Sequence, residues 1–129
     1  NMAKSDRTTS IQELKDAIRT FREERGWGKS RTPRNMAVSI AVEAAELLEH
    51  FQWGEYDEKK KQEIANELAD VLMYCAELSN ILDIDIATAF LQKLEKLKEK
   101  YPVEIFNPQS QDSEAYERIK QNYRNRSKA

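Results

Sequence analysis

Four acidic residues fall into two pairs with the same three-residue step, Glu43 and Glu46 in one segment and Glu67 and Asp70 in the next. At helical pitch that step places both carboxylates of a pair on adjacent turns of one side. Glu49 extends the first strip; Glu63, Tyr74 and Glu77 extend the second at steps of four and three, so each segment carries a polar seam. If the two helices are antiparallel neighbours, the pairs converge at similar height. Carboxylates about 5 Å apart repel by about 3 kcal/mol at an effective dielectric of about 20, so four together call for a cation or bound protons. An all-oxygen set with no His or Cys cluster selects a hard divalent ion. Mg2+ is expected, the usual choice when substrate phosphates complete the shell, and Mn2+ can substitute. Acids at helical spacing more often form a solvated face or pair with lysines. Here Glu43 and Glu46 sit among apolar neighbours with no Lys or Arg four residues on, which argues against that commoner fate.

The elements that must position these acids are helical. Ser10-Ile11-Gln12-Glu13 has the Ser-x-x-Glu form of a reciprocal cap. A first helix therefore starts there, with Ile11, Leu14, Ile18 and Phe21 as its buried face, and Gly26 and Gly28 end it. Residues 27–34 make a basic loop, and Pro33 suits the first turn of a second helix expected to run to about Trp53, before Gly54. A third helix is expected from about Asp57 to Leu82, with Ile64, Leu68, Val71, Leu72, Cys75 and Leu78 as its apolar stripe. Asp83 and Asp85 offer a cap for a fourth helix reaching Lys100, with Ile86, Phe90, Leu94 and Leu97 inward and Pro102 beyond its end. This predicts an all-α fold: a flexible segment at residues 1–9, one domain at 10–104 built as a four-helix bundle, and a polar tail at 105–129. In the tail Ala115, Tyr116, Ile119 and Tyr123 can form a short amphipathic helix that packs on the body or on a partner subunit. The second helix is apolar around most of its circumference, from Met36 to Phe51, more than a domain of this size can cover alone. A symmetric subunit interface is the expected use of that surface.

Composition narrows the function classes. With 129 residues, three Gly, three Pro and 34% charged side chains, a single helical domain is expected. A net charge of −2 lacks the basic excess that attraction to a nucleic-acid polymer needs. One cysteine, Cys75, allows neither an intrachain disulfide nor a multi-Cys zinc site and suits a reducing, cytoplasmic setting. No apolar run approaches the roughly 20 residues of a membrane span, and no signal peptide is expected. Asn1, which precedes Met2, contributes nothing to the reading.

The runs PRNMAVSIAVEAAELLEHFQW from Pro33, NELADVLMYCAELSNILDID from Asn66 and KLEKLKEKYPVE from Lys93 resemble the MazG-like nucleotide pyrophosphohydrolases, in particular their short dCTP pyrophosphatase-like branch. The resemblance covers about residues 10–104. It implies a MazG-like bundle working as an obligate dimer or dimer of dimers. It also implies Mg-dependent hydrolysis of (deoxy)nucleoside triphosphates, dCTP-like pyrimidine or modified nucleotides, to the monophosphate and pyrophosphate. Glu43, Glu46, Glu67 and Asp70 match the family's metal ligands and catalytic acids, with Glu49 beside them to orient water. Trp27 and Trp53 match aromatic positions around the base, with Tyr74 as a sugar or base contact. Arg34 and Asn35, with Lys29 and Arg31 in the same loop and Lys93, Lys96 and Lys100 on the fourth helix, are the expected phosphate contacts. The chain departs from many relatives at Leu97, where an Asn is common, and that bears on substrate choice.

Two competing readings remain. A di-iron carboxylate bundle needs Glu-x-x-His pairs, and the one histidine, His50, has Leu47 three residues before it. A non-catalytic helical oligomerisation module explains wide apolar faces, but it leaves the acid pairs without a purpose.

Overall fold

Residues 3–128 are described by the computed structural model of the chain. They form five α-helices, α1 Ile11–Glu24, α2 Pro33–Glu49, α3 Lys61–Leu82, α4 Ile86–Lys100 and α5 Ala115–Ser127, with a 3-10 turn at Glu58–Lys60 ahead of α3. Among the described residues there is no strand. Among these residues no helix is long and apolar enough to cross a membrane. The chain divides into a unit of residues 1–86 and a unit of residues 87–129.

Local chemistry sets the starts of the helices. Ser10 Oγ accepts from the Glu13 amide at 3.1 Å while the Glu13 carboxylate accepts from the Ser10 amide, so the expected capping box forms. Those bonds and Lys4 hold the Glu13 carboxyl below its ordinary range. Thr32 caps α2 through the Asn35 amide, with Pro33 in the first turn. Residues 3–9 belong to the segment expected to be flexible. Within them Ser5 and Thr8 close a turn on each other, whereas Asn1 and Met2 lie outside the described residues. α3 ends on Asp83, whose φ of 53° is left-handed and lets its amide and that of Ile84 bond back to Ser79.

In the first unit α3 is the central element, packed on α2 along one side and on α1 along another. The inward side of α2 carries Met36, Ile40, Glu43, Leu47 and His50 at steps of three and four. That of α3 carries Ile64, Glu67, Val71, Tyr74 and Leu78. Acids therefore share the inner faces with the apolar side chains. Other apolar residues of these helices point outward, with Val38, Val42 and Leu48 on α2 and Leu68, Leu72 and Met73 on α3 all about half exposed or more, while Ala76 on α3 is buried.

Leu68 and Leu72 were expected on the packing stripe of α3 and are instead exposed, and three further expectations need correction. The second helix stops at Glu49 instead of near Trp53, because the chain turns at residues 51–53 once His50 has capped α2. The buried stripe of α1 is not Ile11, Leu14 and Phe21, which are all exposed. The helix is rotated so that Lys15, Ile18 and Arg22 meet α3, since polar ties fix it there. Lys15 Nζ donates to the Ile84 carbonyl at 2.9 Å, Asn80 Nδ2 donates to the Lys15 carbonyl, and Arg19 donates to Asn80 Oδ1. On α4 the expected inward residues Phe90 and Leu94 are exposed.

In the second unit, the tail forms α5, anchored by a fully buried Ala115. Tyr101 stacks on Tyr116 at 5.3 Å and meets Phe106 edge-on, and Pro102 accepts from the amides of Ile105 and Phe106 where α4 has ended.

The reciprocal cap gives a direct test of the α1 start. Ser10→Ala should lower the unfolding free energy by about 1 kcal/mol, read as a shifted urea midpoint at unchanged slope.

Candidate active site

The α2 and α3 seams meet residue by residue in antiparallel order. His50 at the end of α2 lies against Glu63 and Glu67 near the start of α3, with Nε2 3.5 Å from Glu67 and Nδ1 3.9 Å from Glu63. One to two turns back, Glu43 and Glu46 meet Glu67, each offering an oxygen such that the three lie within 4.8 Å of one another. Asp70 follows one turn on along α3. It stands outside that trio but near enough for its charge to act on Glu43. Beyond α2's first residue, Arg31 of the preceding loop meets Glu77, at the far end of the seam. The antiparallel packing thus brings three acids from two helices together, with Asp70 one turn further along α3.

Glu43 carries most of the strain. Its Oε2 is inaccessible to solvent and has no hydrogen-bond partner. Burial, then the neighbouring Glu46 carboxyl, then the charges of Asp70 and Glu67 push its pKa up to about 7. The local cost is like-charge crowding that no Lys or Arg relieves. An orphaned carboxylate oxygen at the centre of a hard-oxygen set fits a divalent cation, which takes oxygen ligands and offsets the charge.

The aromatic and basic candidates are distributed unevenly. Trp27 lies in the loop after α1, edge-on to Phe21 at 5.8 Å, with about half its surface open. Tyr74 is half-buried one turn beyond Asp70. The Arg31 guanidinium lies between them, 5.8 Å from the Trp27 ring and 6.0 Å from the Tyr74 ring. Trp53 stands in the turn after α2 and is 89% exposed. Asn35 is occupied in closing the loop: its Nδ2 donates to the Ser30 carbonyl at 2.9 Å. Arg34 and Lys29 are exposed. Lys93 and Lys100 lie on α4 in the second unit, where the Lys100 ammonium packs over the rings of Tyr101 and Tyr123.

Two features escaped the sequence reading. His50, considered only in setting aside a di-iron site, touches Glu67, a candidate ligand. Glu77 was one more acid on a seam, yet it is buried between Arg22 and Arg31. Burial pulls the Arg22 guanidinium below its ordinary value while Glu77 opposes that shift. Its seven-residue spacing from Asp70 was the available signal for Glu77. Nothing in spacing alone identifies arginines from two other elements as its partners.

Known proteins share this arrangement of sequence. The dCTP pyrophosphatase 1 of Rattus norvegicus is 27% identical over 104 residues, covering 74% of this chain and 61% of that protein. The protein of the same name from Homo sapiens is 28% identical over the same shares. This chain therefore spans about 61% of the length of these curated relatives. A crystal structure of a pyrophosphatase from Archaeoglobus fulgidus superposes with a TM-score of 0.68 at 40% identity, over 79% of this chain and 99% of that one. The MazG-like family pattern matches residues 38–117, a span that holds both acid pairs. With well over half its length matched and its acid pairs inside the match, the chain belongs to the MazG-like family.

Proposed function

We propose that the chain hydrolyses a (deoxy)nucleoside triphosphate, a dCTP-like pyrimidine or modified nucleotide, to the monophosphate and pyrophosphate. Glu43, Glu46, Glu67 and Asp70 hold Mg2+, with Mn2+ as a substitute. The observation that carries this reading is the crowding of three carboxylates, one of them Glu43 with an inaccessible, unpartnered oxygen. The names of the similar proteins, dCTP pyrophosphatase and pyrophosphatase, support the reaction and the substrate class. A non-catalytic oligomerisation module has no use for acids turned inward.

When bound, the metal offsets the charge of the triphosphate oxygens and acidifies water. The chain supplies the rest. The antiparallel seam sets the four carboxylates before substrate arrives, so little reorganisation accompanies the reaction. One of them takes the proton from the water that attacks the α-phosphorus in line with the departing pyrophosphate. Glu49, exposed on the last turn of α2, is assigned to orient that water. His50 braces Glu67 from the end of α2. Trp27 and Tyr74 offer ring faces to the base, with Trp53 as a further aromatic contact. Within the first unit, Arg34 is the cation assigned to phosphate oxygens. Asn35 acts through the loop that it closes.

The same reading takes residues 10–104 as the catalytic domain, a MazG-like four-helix bundle working as a dimer or dimer of dimers in the cytoplasm. The outward apolar residues of α2 and α3 support a partner subunit, because such faces are rarely left to solvent. The free thiol of Cys75 is consistent with the compartment.

Incubation with each dNTP and Mg2+, followed by pyrophosphate detection, tests the reaction, and no turnover of any triphosphate by folded protein would refute it. Glu43→Gln and Asp70→Asn should each lower kcat on the order of a thousandfold with the helical circular dichroism unchanged; retained activity would remove these residues from the ligand set. Trp27→Ala should raise KM about tenfold with kcat within about twofold. A loss of folding would instead make the ring a packing element.

Without metal, the raised pKa of Glu43 makes stability depend on pH. The folded chain holds this proton up to about pH 7, whereas the ordinary value is 4.5. The stabilisation is therefore complete below about pH 4.5 and is lost as pH rises through 7. Melting of the metal-free protein should fall between pH 5 and 8, Mg2+ should cancel the fall, and Glu43→Gln should flatten it. A melting temperature that rises across that window in the absence of metal would contradict this assignment.

A further inference from the structure

Among the described residues Glu77 is the most buried charged side chain, at 2% exposure, and none of the proposed chemistry uses it. It joins three elements. Its Oε2 accepts from Arg31 Nη1 in the loop at 2.5 Å, and its Oε1 lies 3.5 Å from Arg22 Nε on α1, while Glu77 itself belongs to α3. The loop between α1 and α2 has short-range ties of its own, from the Trp27 amide to the Arg22 carbonyl and from Asn35 to Ser30. Arg31 is the loop side chain that reaches into α3, and its guanidinium sits beside both the Trp27 and Tyr74 rings.

Resting on the reading of Trp27 and Tyr74 as base contacts, we propose that Glu77 is a positioning residue. By clamping Arg31 it seats the loop against α3 and holds the Trp27 ring at its working distance from Tyr74. The physical basis is the asymmetry of buried ion pairs. A charge-assisted bond from a planar guanidinium to a desolvated carboxylate fixes direction as well as distance. Removing one partner leaves the other buried without its charge. Arg22 makes the clamp tolerant from one side only. With Arg31 gone, Glu77 still has a cation, but with Glu77 gone, two guanidinium groups face each other. A residue that merely stabilised the fold would affect melting and leave nucleotide affinity alone. A positioning residue moves KM, because the base site is displaced, and leaves kcat at the carboxylates nearly unchanged.

The chain has two tryptophans, so Trp27 is isolated spectroscopically in a Trp53→Phe background. Acrylamide, a neutral quencher, is then titrated into metal-free, nucleotide-free protein. Arg31→Gln should raise the quenching constant of Trp27 about twofold, and Arg31→Lys should restore part of the protection. In the chain with both tryptophans, Arg31→Gln and Glu77→Gln should each raise KM for the triphosphate about tenfold with kcat within about twofold. The double variant should be no worse than the worse single one, as expected of two residues acting through one contact. Unchanged Trp27 quenching in Arg31→Gln, loss of kcat at constant KM, or KM effects that multiply would overturn the proposal. If Glu77→Gln fails to fold, Arg31→Gln decides the matter, because Arg22 still neutralises Glu77 in that variant. If the unsubstituted chain turns over no triphosphate, the reaction reading falls by itself, and the quenching measurement still decides the clamp.

Discussion

Negative charge packed between α2 and α3 is the constraint on which the rest of the molecule depends. Three carboxylates from two helices approach within 4.8 Å, with a fourth acting on them from the next turn. No arrangement of surface glutamates requires this, because in water each would turn away at little cost. Here Met36, Ile40 and Leu47 on one helix and Ile64, Val71 and Leu78 on the other hold the backbones together around the acids. Apolar packing thereby keeps like charges close, and the stored repulsion is available to any cation that enters. The three clustered residues all offer carboxylate oxygens, the donor type that hard divalent ions take.

The polar seam is also ordered along its length. His50 lies at one end, against Glu63 and Glu67, and Arg31 at the other, against Glu77. Between these two groups, among the described residues, Glu43, Glu46 and Asp70 have no basic partner of comparable closeness. The uncompensated charge is therefore greatest in the middle of the seam, around Glu43. In the proposed reaction this separates two tasks: the middle handles phosphate, and the Arg31 end, with Trp27 and Tyr74 nearby, handles the base. A substitution at one end can change affinity without touching the chemistry at the centre.

α2 shows why a helix that is apolar all round need not be a core helix. One side faces α3 and carries Met36, Ile40 and Leu47 together with Glu43 and Glu46; the other exposes Val38, Val42 and Leu48. Its circumference answers two demands, a dry wall for the acids and a surface for association in the proposed oligomer. α1 makes the opposite compromise. It gives its polar Lys15, Arg19 and Arg22 to α3 and leaves Ile11, Leu14 and Phe21 outside. Ordinary amphipathic reasoning fails for α1 because directed hydrogen bonds to the Ile84 carbonyl and Asn80 outweigh the burial of a few apolar side chains in setting its rotation.

The run of helices, the cap of α1 and the three-residue pairing of the acids could be read from the sequence by itself, since each is a local matter. A Ser-x-x-Glu box, a proline in a first turn and carboxylates three apart depend only on residues within a turn or two of one another. The end of α2 was misplaced by four residues, because Phe51 and Trp53 continue the apolar period while the backbone has already turned after His50. The tertiary structure alone decided which acids lack a counter-charge. Glu43 and Glu77 look alike in sequence, each a glutamate on a helical seam. One is crowded by three acids and the other is held by two arginines from different elements. The reason is that electrostatic environment depends on distance in space, and long-range packing, not local propensity, determines which distant charges arrive beside a given side chain.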